Sequence, residues 1–138
     1  MDLKRWLLAA VGAFVVVFAT EFVIHHLWLG EFYKAHAQWW RPEAEMNSMM
    51  HLMLLAQIIF AALLPMVYAK GYESGKSGVG QGVRFGVLIG LLMTVPMSLM
   101  NYVIYPYPSS LIINWVLGGM VEYILAGAVI GLLYKPAK

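Results

Sequence analysis

The chain has 138 residues, 62% hydrophobic and 12% charged, with a formal net charge of +2. A soluble protein averages about 25% charged residues, so this composition excludes an ordinary globular domain. The Lys and Arg residues cluster at the ends of apolar runs rather than on one face, which excludes nucleic acid as a partner. There is no cysteine, and hence no disulfide, thiolate metal site or cysteine nucleophile.

Four apolar stretches follow one another at about 6–29, 46–68, 82–105 and 111–134. About 20 helical residues cover the roughly 30 Å hydrocarbon layer, and a helix satisfies its own backbone there. The expected fold is all-α, an integral membrane four-helix bundle forming one transmembrane domain over residues 1–138, with the lipid bilayer as its first partner.

The first span opens on Lys4 and Arg5 like a signal peptide, but its apolar run reaches Leu29. That exceeds a signal h-region of about 7–15 residues, so the span is read as a retained helix. Glu21 and His25 lie four residues apart on one face, and His26 points away from it. The connection that follows carries Phe32, Tyr33, His36, Trp39 and Trp40 at near-helical spacing before Pro42. That pattern predicts a short interfacial helix in the headgroup region between the first two spans.

In the second span Met46, Met50, Met53 and Gln57 form a stripe, with His51 about one turn in. The Gly- and Ser-rich connection AKGYESGKSGVGQG is expected to be flexible. Its GYESGKS is one residue short of a phosphate loop and lacks the preceding strand, so it is set aside. Gly82, Gly86 and Gly90 recur every fourth residue in the third span, and Thr94, Ser98, Asn101 and Tyr105 continue that face. Small residues let helix backbones approach in lipid, and the polar ones bond across. The fourth span offers two matching features, Asn114, Gly118 and Glu122 at spacings of four and the pair Gly127 and Gly131.

Lys4, Arg5, Lys70, Lys76, Arg84, Lys135 and Lys138 fall on one side of the four spans, and only Lys34 and Arg41 on the other. The positive-inside rule then puts both termini in the cytoplasm, in a multi-pass protein of the cell's inner membrane. Laid over one another, the halves match weakly: Phe22-Val23-Ile24-His25 with Tyr102-Val103-Ile104-Tyr105, and 57–68 with 123–134. This internal repeat predicts two similar helical hairpins related by an axis along the membrane normal.

Ionisable groups at membrane depth are functional candidates by default. The expected intramembrane polar site comprises Glu21, His25, His51, Gln57, Asn101, Asn114 and Glu122. Gly82, Gly86, Gly90, Gly118, Gly127 and Gly131 are the expected helix-packing residues. Each carboxyl should face the interior, protonated or partnered, and Gln57, Asn101 and Asn114 can equally be interhelical glue. Imidazole and carboxylate from His25, His51 and Glu21 are copper or zinc donors, and His a haem ligand. The spacing matches no zinc pattern such as H-E-x-x-H, so no cofactor is required and a metal is the lesser reading.

The segment from His26 through Trp28, Phe32 and Lys34 to Ala35 resembles the "LWYSPLLFGKAW" signature of a family of small four-helix bacterial membrane proteins of unknown function. The run from Asn101 through Pro108 to Asn114 is similar to that family's Asn, Arg-Pro and Leu-Ile-Asn-Ala-Gly sequence. Trp28-Leu29 replaces the usual Trp-Tyr, and Glu122 or a neighbour stands where the family tends to carry His. The resemblance implies a fold and no chemistry.

The expected function is a non-enzymatic membrane protein, a small accessory or interaction subunit that packs with other membrane subunits or with itself. The alternative is transport or binding of a small cation, proton or metal through the Glu/His cluster.

Overall fold

The computed structural model describes residues 2–135, so Lys138 lies outside the described residues. Helix α1 (Leu3–Phe22) runs on through a π-helical turn, Val23–Trp28. Two short helices follow, α2 (Gly30–Ala35) and α3 (Glu43–Ser48), and then α4 (Met50–Lys70), α5 (Gly78–Ile104) and α6 (Ser109–Leu133). The four long apolar runs have 26, 21, 27 and 25 residues. Even the shortest, at about 1.5 Å per residue, is long enough to cross a bilayer. Among the described residues there is no strand.

Local chemistry sets the boundaries. Asp2 caps α1 by accepting from the Arg5 backbone N–H at 3.1 Å, and Ser77 caps α5 by accepting from Gly80 at 3.3 Å. Pro42 opens α3, whose first turn holds Glu43 and Glu45, and a non-helical Met49 separates it from α4. The second span therefore starts at Met50, later than hydrophobicity alone suggests. Pro65 and Pro96 lie within α4 and α5.

The connection between α4 and α5 is better tied than its glycines suggest. Gln81, buried in the first turn of α5, accepts from Glu73 N–H at 2.8 Å and donates to the carbonyls of Glu73 at 2.9 Å and Lys76 at 3.4 Å. One amide thus replaces the backbone partners that a short loop lacks.

Helix α1 packs against both α4 and α6, and α6 also packs against α5. The α5–α6 contact is the tightest. A Cβ built on Gly78, Gly82 or Gly86 would run into the backbone of Gly131, Gly127 or Tyr123, and one on Gly127 or Gly131 into the backbone of α5. Absent side chains let the two backbones approach closely. Gly118 and Glu122 do not share this face. Gly118 meets Ile24 and Glu122 meets Thr20, so that stripe of α6 faces α1, while Gly119 takes the methyl of Thr94 from α5.

The main core lies in the half of the molecule that carries the Lys-rich ends. Ala9, Ala13 and Val17 of α1 meet Ala61, Leu64 and Tyr68 of α4 and Ala126 and Ile130 of α6. Tyr68 closes this end: its ring lies 5.4–6.1 Å from those of Phe85, Tyr134 and Tyr72, and its hydroxyl donates to Gly78 O at 3.3 Å. The indole of Trp6 donates to Ala62 O at 2.9 Å.

At the opposite, aromatic end the bundle opens. Every residue from 41 to 56 is exposed, so the first third of α4 contributes no face to the core. Helix α2 instead folds over α6, where Leu29, Ile24 and Leu111 form a second small core beneath Tyr33, Trp40, Tyr107 and Trp115.

Candidate functional site: a polar chain at the aromatic end

The stripe Ala9, Ala13, Val17 is buried at spacings of four, and the next position on it is Glu21. Because α4 contributes nothing to the core beside it, the Glu21 side chain is 38% exposed, as is that of His25. The π-helical turn begins two residues after Glu21 and includes His25 and His26. Its extra residue per turn shifts the register, so the two histidines depart from plain α-helical facing. His25 turns toward α2 and His26 stays exposed, stacked on Phe22.

Three groups link to Glu21 in sequence. His25 Nε2 lies 3.5 Å from Glu21 Oε2, and His25 Nδ1 lies 2.7 Å from the Tyr33 hydroxyl. The Trp115 indole donates to that same hydroxyl at 2.8 Å. Indole N–H can only donate, so Tyr33 accepts from Trp115, and the direction of its bond with His25 Nδ1 follows the imidazole tautomer. The chain Trp115, Tyr33, His25, Glu21 thus ends on a carboxyl, and its last link is too long for a strong hydrogen bond.

Tyr33 belongs to α2, beyond the spans. Burial raises its phenol above the ordinary range, the hydrogen bond from Trp115 works against that, and the nearby Glu21 adds to it. Aromatic neighbours hold it in place: Trp40 edge-on at 5.2 Å and the His25 ring stacked at 5.8 Å. The Trp40 indole nitrogen is buried without a hydrogen-bond partner among the described residues.

Glu122 lies deeper, 5% exposed in the middle of α6, and the Thr20 hydroxyl is 2.6 Å from its Oε2. Thr20 comes from α1, the residue before Glu21, so Glu122 of α6 meets α1 next to the residue that carries the other carboxyl. The structure therefore brings Glu21 to His25, and Glu122 to the same helix. It does not bring His51, which lies exposed on α4. Gln57 is half-buried one turn before Ala61, and Asn101 and Asn114 are half-buried near the aromatic ends of α5 and α6. Among the described residues no three His, Asp or Glu side chains gather as a metal would need, so Glu21, His25 and His51 form no ligand set here.

Sequence reasoning missed Thr20, Tyr33 and Trp115 as partners. Tyr33 was visible only as an interfacial aromatic, and nothing in the spacing of Trp115 pairs it with a residue 82 positions away. No protein-family model, curated protein or solved structure matches the chain, so the chemistry of the site rests on its own geometry.

Proposed function

We propose that this is a non-enzymatic integral membrane protein, a small accessory subunit that packs with other membrane subunits or with a second copy of itself. It lies in the inner membrane of a bacterial cell, built as two similar hairpins, with both termini and the α4–α5 connection on the cytoplasmic side and α2 in the opposite headgroup layer. The gathering of Lys4, Arg5, Lys70, Lys76, Arg84 and Lys135 at one end supports that orientation.

The observation that carries the reading is the uncovered space beside Glu21. A carboxyl at membrane depth costs several kcal/mol unless partnered. Glu21 continues a buried stripe yet is 38% exposed, and residues 50–56 of α4, toward the same end of the molecule, are exposed throughout. A helix from a partner, offering a donor to Glu21 and Gln57, fills that space. A photo-crosslinker at Met53 in native membranes should give a discrete protein adduct, and one at Leu7 should give lipid adducts only. Lipid adducts alone at both positions would refute the reading.

The hydrogen-bonded chain ending on Glu21 favours a second reading, binding of a proton or small cation there. Stabilisation by an added cation that disappears in Glu21→Gln would support it.

A further inference from the structure

Helices α4 and α5 do not pack along each other, and between them at the Lys-rich end lies an open cleft of about 350 Å³. Its walls are apolar, from Val67 on one side to Phe85, Leu88 and Ile89 on the other, with Tyr68 at the back. Val67 and Leu88 are 52% and 65% exposed, so the cleft opens sideways, in the direction of lipid.

Its mouth is charged. Arg84 and Glu73 both line it, and Lys76 reaches Glu73 from the connection. Lys76 is hydrogen-bonded to Glu73, and the Arg84 guanidinium stands 3.6 Å from the same carboxylate, beyond hydrogen-bond range, with its side chain 64% exposed. The hydrogen bond from Lys76 holds the Glu73 carboxyl below its usual range, so it remains an anion. Two cations, Lys76 and Arg84, against one carboxylate leave the mouth positive, and the Arg84 fork has donors to spare.

We propose that this cleft is a binding site for an anionic phospholipid, with one acyl chain between α4 and α5 and the headgroup phosphate on Arg84. Apolar walls open to the bilayer exclude a soluble ligand as the natural occupant, and the positive mouth selects among lipids. A basic residue close to an anionic lipid contributes about 1 kcal/mol, or roughly fivefold in affinity. The site is separate from Glu21, and its failure would leave the subunit reading untouched.

The test uses the full chain in a neutral detergent, titrated with phosphatidylglycerol or phosphatidylcholine of matched chains while thermal unfolding is followed. Phosphatidylglycerol should raise the midpoint at lower concentration. Arg84→Gln should weaken that response about fivefold and Arg84→Lys should retain most of it. Val67→Trp, which fills the cleft, should blunt the response to both lipids; should that variant not fold, native mass spectrometry of lipid retained by wild type and Arg84→Gln decides instead, with less anionic lipid expected on the variant. Equal responses to the two lipids, an unaltered response in Arg84→Gln, or the same stabilisation by inorganic phosphate alone would each overturn the proposal.

Discussion

Thr20 and Glu122 join α1 to α6 through a 2.6 Å contact between hydroxyl and carboxyl, in the middle of the molecule. The same hydroxyl lies 2.9 Å from Val16 O and 3.1 Å from Val17 O. One proton cannot serve three acceptors. The hydroxyl therefore stands where it can bond either to Glu122 or back to its own helix. No cation lies close enough to Glu122 to form an ion pair among the described residues.

Glu122→Gln keeps an oxygen that can accept from Thr20 and nearly the same shape, so its unfolding midpoint in detergent should stay close to wild type. Glu122→Ala should cost about 1–3 kcal/mol, and Thr20→Val about 1 kcal/mol. A double-mutant cycle of the Ala and Val changes should reveal coupling of at least about 0.5 kcal/mol. Additive losses would mean that the two groups do not share a bond.

Gly82 and Gly127 face one another so closely that no Cβ fits at either without moving backbone, whereas Gly71 has open space around it. Gly82→Ala and Gly127→Ala should each lower stability by more than about 1 kcal/mol, and Gly71→Ala should fall within about 0.5 kcal/mol of wild type. Equal effects at all three positions in a chemical unfolding series would contradict the α5–α6 packing.

Tyr33 links His25 to Trp115, and its phenol is raised above the usual value of about 10 by burial. Between the unfolded and the folded value only the folded protein keeps that proton, so stability falls as pH rises above about 10. Tyr33→Phe removes this contribution, and its stability should decline less steeply as pH rises above about 10. At neutral pH the same variant should be less stable by about 1–3 kcal/mol, since it strands both the indole N–H and the imidazole. Parallel alkaline slopes in the two proteins would remove Tyr33 from the titration.

The chain contains no cysteine, so single cysteines report orientation cleanly. Ala37→Cys should react with a membrane-impermeant thiol reagent in intact cells, and Ser77→Cys only after the membrane is opened. The reverse pattern would invert the proposed orientation.

The apolar runs and the four-residue glycine spacing of the third span were enough to read four long helices, because a helix long enough to cross lipid needs only its own composition and length. The partners of those glycines were not legible. Gly118 and Glu122 repeat every four residues as persuasively as Gly127 and Gly131, yet the first pair meets α1 and the second α5. Helical periodicity defines a face and is silent about which neighbour will cover it. The same holds for His25 and His51, both near the aromatic end in sequence terms. A π-helical turn directs the first toward Tyr33, while the exposed start of α4 leaves the second outside. Register and helix divergence arise from packing far along the chain, at Tyr68 and at the aromatic cap under Trp40. Only the assembled tertiary structure decides them, because each depends on contacts between residues with no local pattern in common.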